Sequence, residues 1–234
     1  MSPRAGRTSV ADVLAWLEAT GTAKAAAGNA RFGLPTEGVH GVPVGAMRAK
    51  AKAIGTDHAL ALGLWKNGAY EARMMAVFLA DPKRLNRRTA DAWCARFDNW
   101  AICDTACFHL FDRTDFAWDA PPDWTPDERE FVRRAGFALL WALAVHDKRA
   151  EDARFTDAFD LFRDASGDER PLVRKAVDMA LRAIGKRGRA LNAAARELAV
   201  ELEASGDRTA RWIGRHARRE LESEKVRARI AKRR

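Results

Sequence analysis

Two side chains four positions apart offer the most pointed chemistry in this sequence. They are Trp100 and Asp104, in the run Trp100-Ala101-Ile102-Cys103-Asp104. On a helix, positions i and i+4 share a face, so the indole and the carboxylate project together. An aromatic plane beside a negative charge suits a flat cation, through stacking, cation–π attraction and opposite charge. Each residue alone has a plainer reading. A helical tryptophan is more often core, and an aspartate near a helix start more often offsets the helix dipole. The pair needs a helix that begins at Trp100. Asp98 or Asn99 supplies its cap, and the helix is expected to run to Phe111.

Other reactive side chains form no such constellation. Cys103 and Cys107 also stand four apart, with His109 nearby. A zinc site takes about four convergent ligands, and no second cysteine or histidine cluster exists to complete one. The third cysteine is Cys94, so the three cannot all pair, and buried thiols in a reducing compartment are expected. The five histidines, His40, His58, His109, His146 and His216, are scattered, and no catalytic triad is nominated by spacing. No metal and no cofactor is expected. Eight tryptophans are many for this length; most are expected between helices, with a few left to line a groove.

The chain has 234 residues, 47% hydrophobic and 31% charged, which suffices for a buried core and excludes compositional disorder. The formal charge is +9 and is unevenly spread. From Arg170 to Arg234 there are 19 basic and 8 acidic residues, a net +11, whereas the remainder holds 22 basic and 24 acidic, a net −2. Concentrated positive charge is the footprint of a polyanion binder; a solvated helical face is the bland alternative. The longest apolar run, Ala135 to Val145, has 11 residues, too few to cross a bilayer. Met1-Ser2-Pro3-Arg4 leads into an amphipathic segment rather than a secretory apolar core. A cytoplasmic monomer without membrane contact is expected.

Helical spacing dominates the rest. Val10, Val13, Leu14 and Leu17 share a face behind Thr8 or Ser9 as cap. Gly55-Thr56-Asp57 reads as a helix stop followed by a start. Thr125-Pro126-Asp127-Glu128 reads as a capping box opening a helix to about His146. Pro82, Pro121, Pro122 and Pro171 punctuate connections. Gly28 to Gly45, with five glycines, lacks a phosphate-loop ending and reads as a surface connection. Phe131-Val132-Arg133-Arg134-Ala135 aligns with Leu172-Val173-Arg174-Lys175-Ala176 at an offset of 41 residues, and Glu71-Ala72-Arg73-Met74 echoes the pattern. A period near 40 residues built from helix pairs points to an all-α fold, a curved α-solenoid of HEAT-like repeats; an ordinary helical bundle with coincidental Arg-Ala pairs is the alternative. A single repeat domain over residues 1–224 is expected, followed by a basic tail, 225–234, helical or disordered.

Several stretches in order resemble the AlkD-like DNA alkylation repair family of HEAT-repeat DNA glycosylases. They are Leu64-Trp65-Lys66-Asn67-Gly68-Ala69-Tyr70-Glu71-Ala72-Arg73, Phe97-Asp98-Asn99-Trp100 through Asp104, and Phe131 to Ala135. Asp168-Glu169-Arg170, Val173 to Ala176, Ala180 to Arg187 and Ala210-Arg211-Trp212-Ile213 follow. The resemblance spans roughly Arg31 to Leu221.

It implies a concave face that holds duplex DNA and excises cationic N3- or N7-alkylated purines, in association with the nucleoid when bound. By this resemblance Asp104 is the catalytic carboxylate and Trp100 contacts the lesion nucleotide. Arg134, with Arg133 competing, holds a backbone phosphate and orients Asp104. A second cleft tryptophan of the family falls on Met179, and a thioether offers no π face. Asp178 beside it adds negative charge near the lesion or faces solvent. Arg133, Arg182, Lys186, Arg187 and Arg189 are the expected DNA contacts. The competing implication is a non-catalytic repeat protein that binds damaged or branched DNA, for which Met179 is the best support.

Overall fold

The computed structural model describes residues 7–232, whose regular elements are all helices, with no strand among them. The chain packs as two compact units. Among the described residues, one comprises 7–89 with Asp98–Thr114, the other Ala90–Phe97 with 115–232.

The first unit contains α1 (Val10–Thr20), α2 (Ala23–Gly28), α3 (Val44–Ile54), α4 (His58–Asn67) and α5 (Tyr70–Leu79). A further helix, α6 (Arg87–Cys94), runs across the boundary, and α7 (Trp100–His109) completes the unit. Its helix starts follow the sequence signals. Ser9 closes a capping box with Asp12, Asp57 caps α4 through Leu60 N, and Gly55 ends α3 with φ 83°, a conformation only glycine adopts cheaply. Helix α5 is buried nearly all round and packs against α1, α3, α4 and α7. A helix buried on every side is central, so α5 is the post on which α7 is mounted. Arg73 of α5 makes that mounting specific, donating from Nη2 to both oxygens of Asp98 at 2.9 and 2.7 Å, two residues ahead of α7.

The second unit contains α8 (Ala120–Trp124), α9 (Glu130–His146), α10 (Asp152–Thr156), α11 (Phe159–Ala165) and α12 (Pro171–Ile184). It continues with α13 (Arg189–Ala204), α14 (Arg208–Leu221) and α15 (Glu224–Ala231). Helices α9, α12 and α14 lie side by side in that order, with α13 packed on α14. The repeat is visible in which residues meet. Arg134 reaches Leu172, Arg174 reaches Trp212, Asp178 reaches His216 and Arg182 reaches Glu220, each 38 residues on. A sequence offset of 41 with contacts at 38 means each repeat docks one helical turn behind its copy. The close α13–α14 crossing depends on Gly214, where a Cβ would stand 2.4 Å from Ala199 O and Glu203 N.

One local reading needs correction. The long helix starts at Glu130, not after Thr125, because Thr125 belongs to the preceding turn: its N–H and hydroxyl both donate to Pro121 O. The start is set instead by Asp127, which accepts from Arg129 N and pairs with its guanidinium. Asp168 and Arg170 repeat the device 41 residues on, ahead of α12. In the basic C-terminal segment, α15 buries Val226 and Ile230 and packs on α14, while residues 233–234 lie outside the described part.

Candidate nucleic-acid interface

In the first unit, Asn99 caps α7 by accepting from Ile102 N at 3.0 Å, and its amide donates to Asp98 Oδ1 at 2.7 Å. That fixes the helical phase. Ala101, Ile102, Cys103, Ala106 and Cys107 turn into the core, whereas Trp100 and Asp104 remain half-buried one turn apart. Neither side chain is walled off. All three cysteines are buried free thiols, as expected, and no metal-binding cluster occurs among the described residues.

The Gly28–Gly45 segment is more than a surface connection. Its first turn, Asn29–Phe32, is 3-10 helical and ends at Gly33 with φ 64°. Asn29 Nδ2 donates to Pro35 O at 2.8 Å, and Gly41 N donates to the buried carboxylate of Glu71 at 2.8 Å. The Trp100 indole N–H donates to Phe32 O at 2.9 Å. The segment is therefore tied to α5 at one end and to α7 at the other. Phe32 is 54% exposed, with the Arg31 guanidinium 5.1 Å from its ring centre. Behind it lies a cavity of about 480 Å³ lined by Asn29, Phe32, Val42, Tyr70 and Glu71 among others. Burial there pushes the Tyr70 phenol up to about 12. The sequence signal missed was Gly41, whose φ of 75° brings the chain so near Thr22 O that no Cβ fits.

In the second unit, most of the expected cationic contacts are engaged internally. Arg134 is 3% exposed and donates to Leu172 O at 2.5 Å. Arg133 donates to Asp127 O, Pro126 O and Asp168 Oδ2, bracing the two repeated helix starts against each other. Burial pushes the Asp168 carboxyl up, but hydrogen bonds from Arg170 and Arg133 hold it below the ordinary carboxylate range. Arg182 binds Asp178 and Glu220, Lys186 binds Glu220, and Arg187 donates to the carbonyls of Ala144, Asp147 and Ala150. Arg189 is exposed without an ion-pair partner among the described residues. Met179 is half-buried on α12. Asp178 neither faces solvent nor projects as a spare charge. It is 1% exposed, held between Arg182 and His216 Nδ1 at 2.8 Å.

The fold and the half-exposed tryptophan–carboxylate face define an all-helical HEAT-like repeat protein. A solved structure from a new family related to the HEAT-like repeat DNA glycosylases, with affinity for branched DNA structures, superposes with a TM-score of 0.79. Identity is 22%, covering 95% of this chain and 96% of that one. Over residues 13–221 the chain matches the DNA alkylation repair enzyme family, and it belongs to that family. No functionally curated protein matches it. No helix among the described residues is long and apolar enough to cross a membrane.

Proposed function

We propose that this protein is a DNA glycosylase of base-excision repair that hydrolyses the N-glycosidic bond of cationic N3- and N7-alkylated purines in duplex DNA. The observation that carries this reading is the α7 face, where Asp104 stands one turn from Trp100 and the indole is anchored to Phe32 O. An alkylated purine is already cationic, so it departs without protonation. As the bond from C1′ to the base breaks, its electron pair neutralises the base, and the positive charge moves to the sugar as an oxocarbenium-like species. Asp104 stabilises that charge and orients the water that adds to C1′; the water's proton passes to the carboxylate or to solvent.

At an effective dielectric of 20 and 4 Å, one such contact amounts to about 4 kcal/mol. Felt mainly in the transition state, it accounts for roughly three decades in rate. Trp100 supplies the aromatic wall against the lesion nucleotide. Arg189 neutralises phosphate without reading sequence. In this reading Arg134 and Arg133 act as braces of the second unit, since their guanidiniums are committed to Leu172, Asp127 and Asp168. Single-turnover incubation with methylated duplex tests the proposal. Free 7-methylguanine or 3-methyladenine above the uncatalysed background is expected, and none would refute it.

A second reading is favoured by two observations. Met179 replaces half of an aromatic clamp, and the similar solved structure comes from a family with affinity for branched DNA. A non-catalytic binder of damaged or branched DNA would retain such complexes and release no base.

A further inference from the structure

Three rungs cross the seam between α12 and α14, four residues apart on each helix. Arg174 lies over the Trp212 ring, 4.5 Å from its centre. Asp178 holds His216 Nδ1 at 2.8 Å, and Arg182 binds Glu220. The first two rungs are joined along α14, because the Trp212 and His216 rings stack with centroids 5.0 Å apart and planes 12° apart. The result is a run of three planar groups, guanidinium, indole and imidazole, fixed from beneath by a buried carboxylate.

This run is open to solvent. Trp212 is 38% exposed and the His216 side chain 47%, on a helix whose apolar face is otherwise filled by Ala210, Ile213, Gly214 and Ala217. The charge around it is unbalanced. Arg174 has no hydrogen-bond or ion-pair partner among the described residues, and neither do exposed Lys175 beside it or exposed Arg208 one turn before Trp212. The acids on the seam are already used: Asp178 by Arg182 and His216, Glu220 by Arg182 and Lys186.

We propose that the Trp212–His216 ring pair, backed by Arg174, is a stacking platform for an unpaired nucleotide, with the exposed cations Lys175 and Arg208 taking its phosphates. A flat π surface ringed by uncompensated positive charge selects a ligand that is both planar and anionic. In a duplex the base faces are covered by their neighbours, so only an unpaired base presents one. The platform therefore distinguishes gaps, flaps and branch points from intact duplex. This rests on the reading of the protein as a DNA binder and adds a site distinct from the α7 face.

The test uses the full chain, a fluorescent oligothymidylate and a blunt duplex of equal length at one fixed salt concentration. Substituting Trp212→Leu is expected to weaken oligothymidylate binding about tenfold, in keeping with loss of one base–aromatic stack, and to change duplex affinity less than twofold. Trp212→Phe restores most of the loss and removes the tryptophan quenching that oligothymidylate produces in the wild-type chain. Because phenylalanine keeps the packing, that quenching measurement stands even if the leucine variant fails to fold. Equal loss on both probes, no loss on either, or unchanged quenching in Trp212→Phe overturns the platform. A wild-type chain that binds duplex but not oligothymidylate overturns the platform alone; one that binds neither overturns the DNA-binding reading as well.

Discussion

The Trp100 indole N–H donates to the Phe32 carbonyl oxygen at 2.9 Å, across 68 residues of sequence. That bond sets the ring of the candidate lesion contact and pins the turn carrying exposed Phe32 and Arg31. The bond satisfies the indole N–H and holds the half-buried ring against rotation.

Replacing Trp100 with Phe keeps a ring and deletes the donor. One hydrogen bond is worth about 1 kcal/mol net. Amide exchange at Gly33 and Leu34, which bond back to Ala30 O and Asn29 O, is expected to accelerate roughly fivefold. Unchanged protection would mean that the turn holds itself.

Gly214→Ala places a Cβ against backbone atoms of α13 that cannot move aside. Overpacking of this kind costs roughly 1–3 kcal/mol, so thermal unfolding should drop by roughly 2–10 °C. Gly188, whose added Cβ meets nothing within 4 Å, is the control. Equal melting of the two variants would contradict the close helix crossing.

Much of this architecture was legible in the sequence. Ser9, Asp57 and Asn99 cap where their types and positions indicate, because capping is a local event between a side chain and an N–H three residues on. The offset of 41 residues exposed the repeat. What the sequence hid was long-range. Nothing local distinguishes Arg133, committed to Asp127 and Asp168, from Arg174, held over Trp212, although they occupy equivalent repeat positions. The Thr125 box failed because Asp127 and Arg129 offered a stronger, charged helix start. The repeated Asp-Glu-Arg at 127–129 and 168–170 was the signal that could have revealed it.

Arg182→Ala separates architecture from DNA contact. The substitution strips one partner from buried Asp178 and another from Glu220. Breaking a buried pair costs about 3 kcal/mol, which denaturant melts would register as a lowered midpoint. Arg189→Ala should leave stability within about 0.5 kcal/mol and reduce the slope of log affinity against log salt by about one. Interchanged outcomes would make Arg182 the phosphate contact.

Acid sensitivity should trace partly to Asp57. Hydrogen bonds from Arg7 and from Leu60 N hold its carboxyl down to about 2, below the ordinary 3.8. A lowered folded-state pKa adds stability that is complete above about pH 4 and is lost as pH falls toward 2. Asp57→Ala should cost about 1 kcal/mol at pH 7 and flatten the decline in stability between pH 4 and 2. An identical decline in both proteins would assign acid unfolding elsewhere.

The sharpest test is single-turnover release of 7-methylguanine by Asp104→Asn, measured beside its affinity for the same methylated duplex. The amide keeps the shape and loses the charge. Release slowed by roughly a thousandfold with affinity within twofold of wild type is the expected result. Release at the wild-type rate would mean that the carboxylate on α7 does not stabilise the departing sugar.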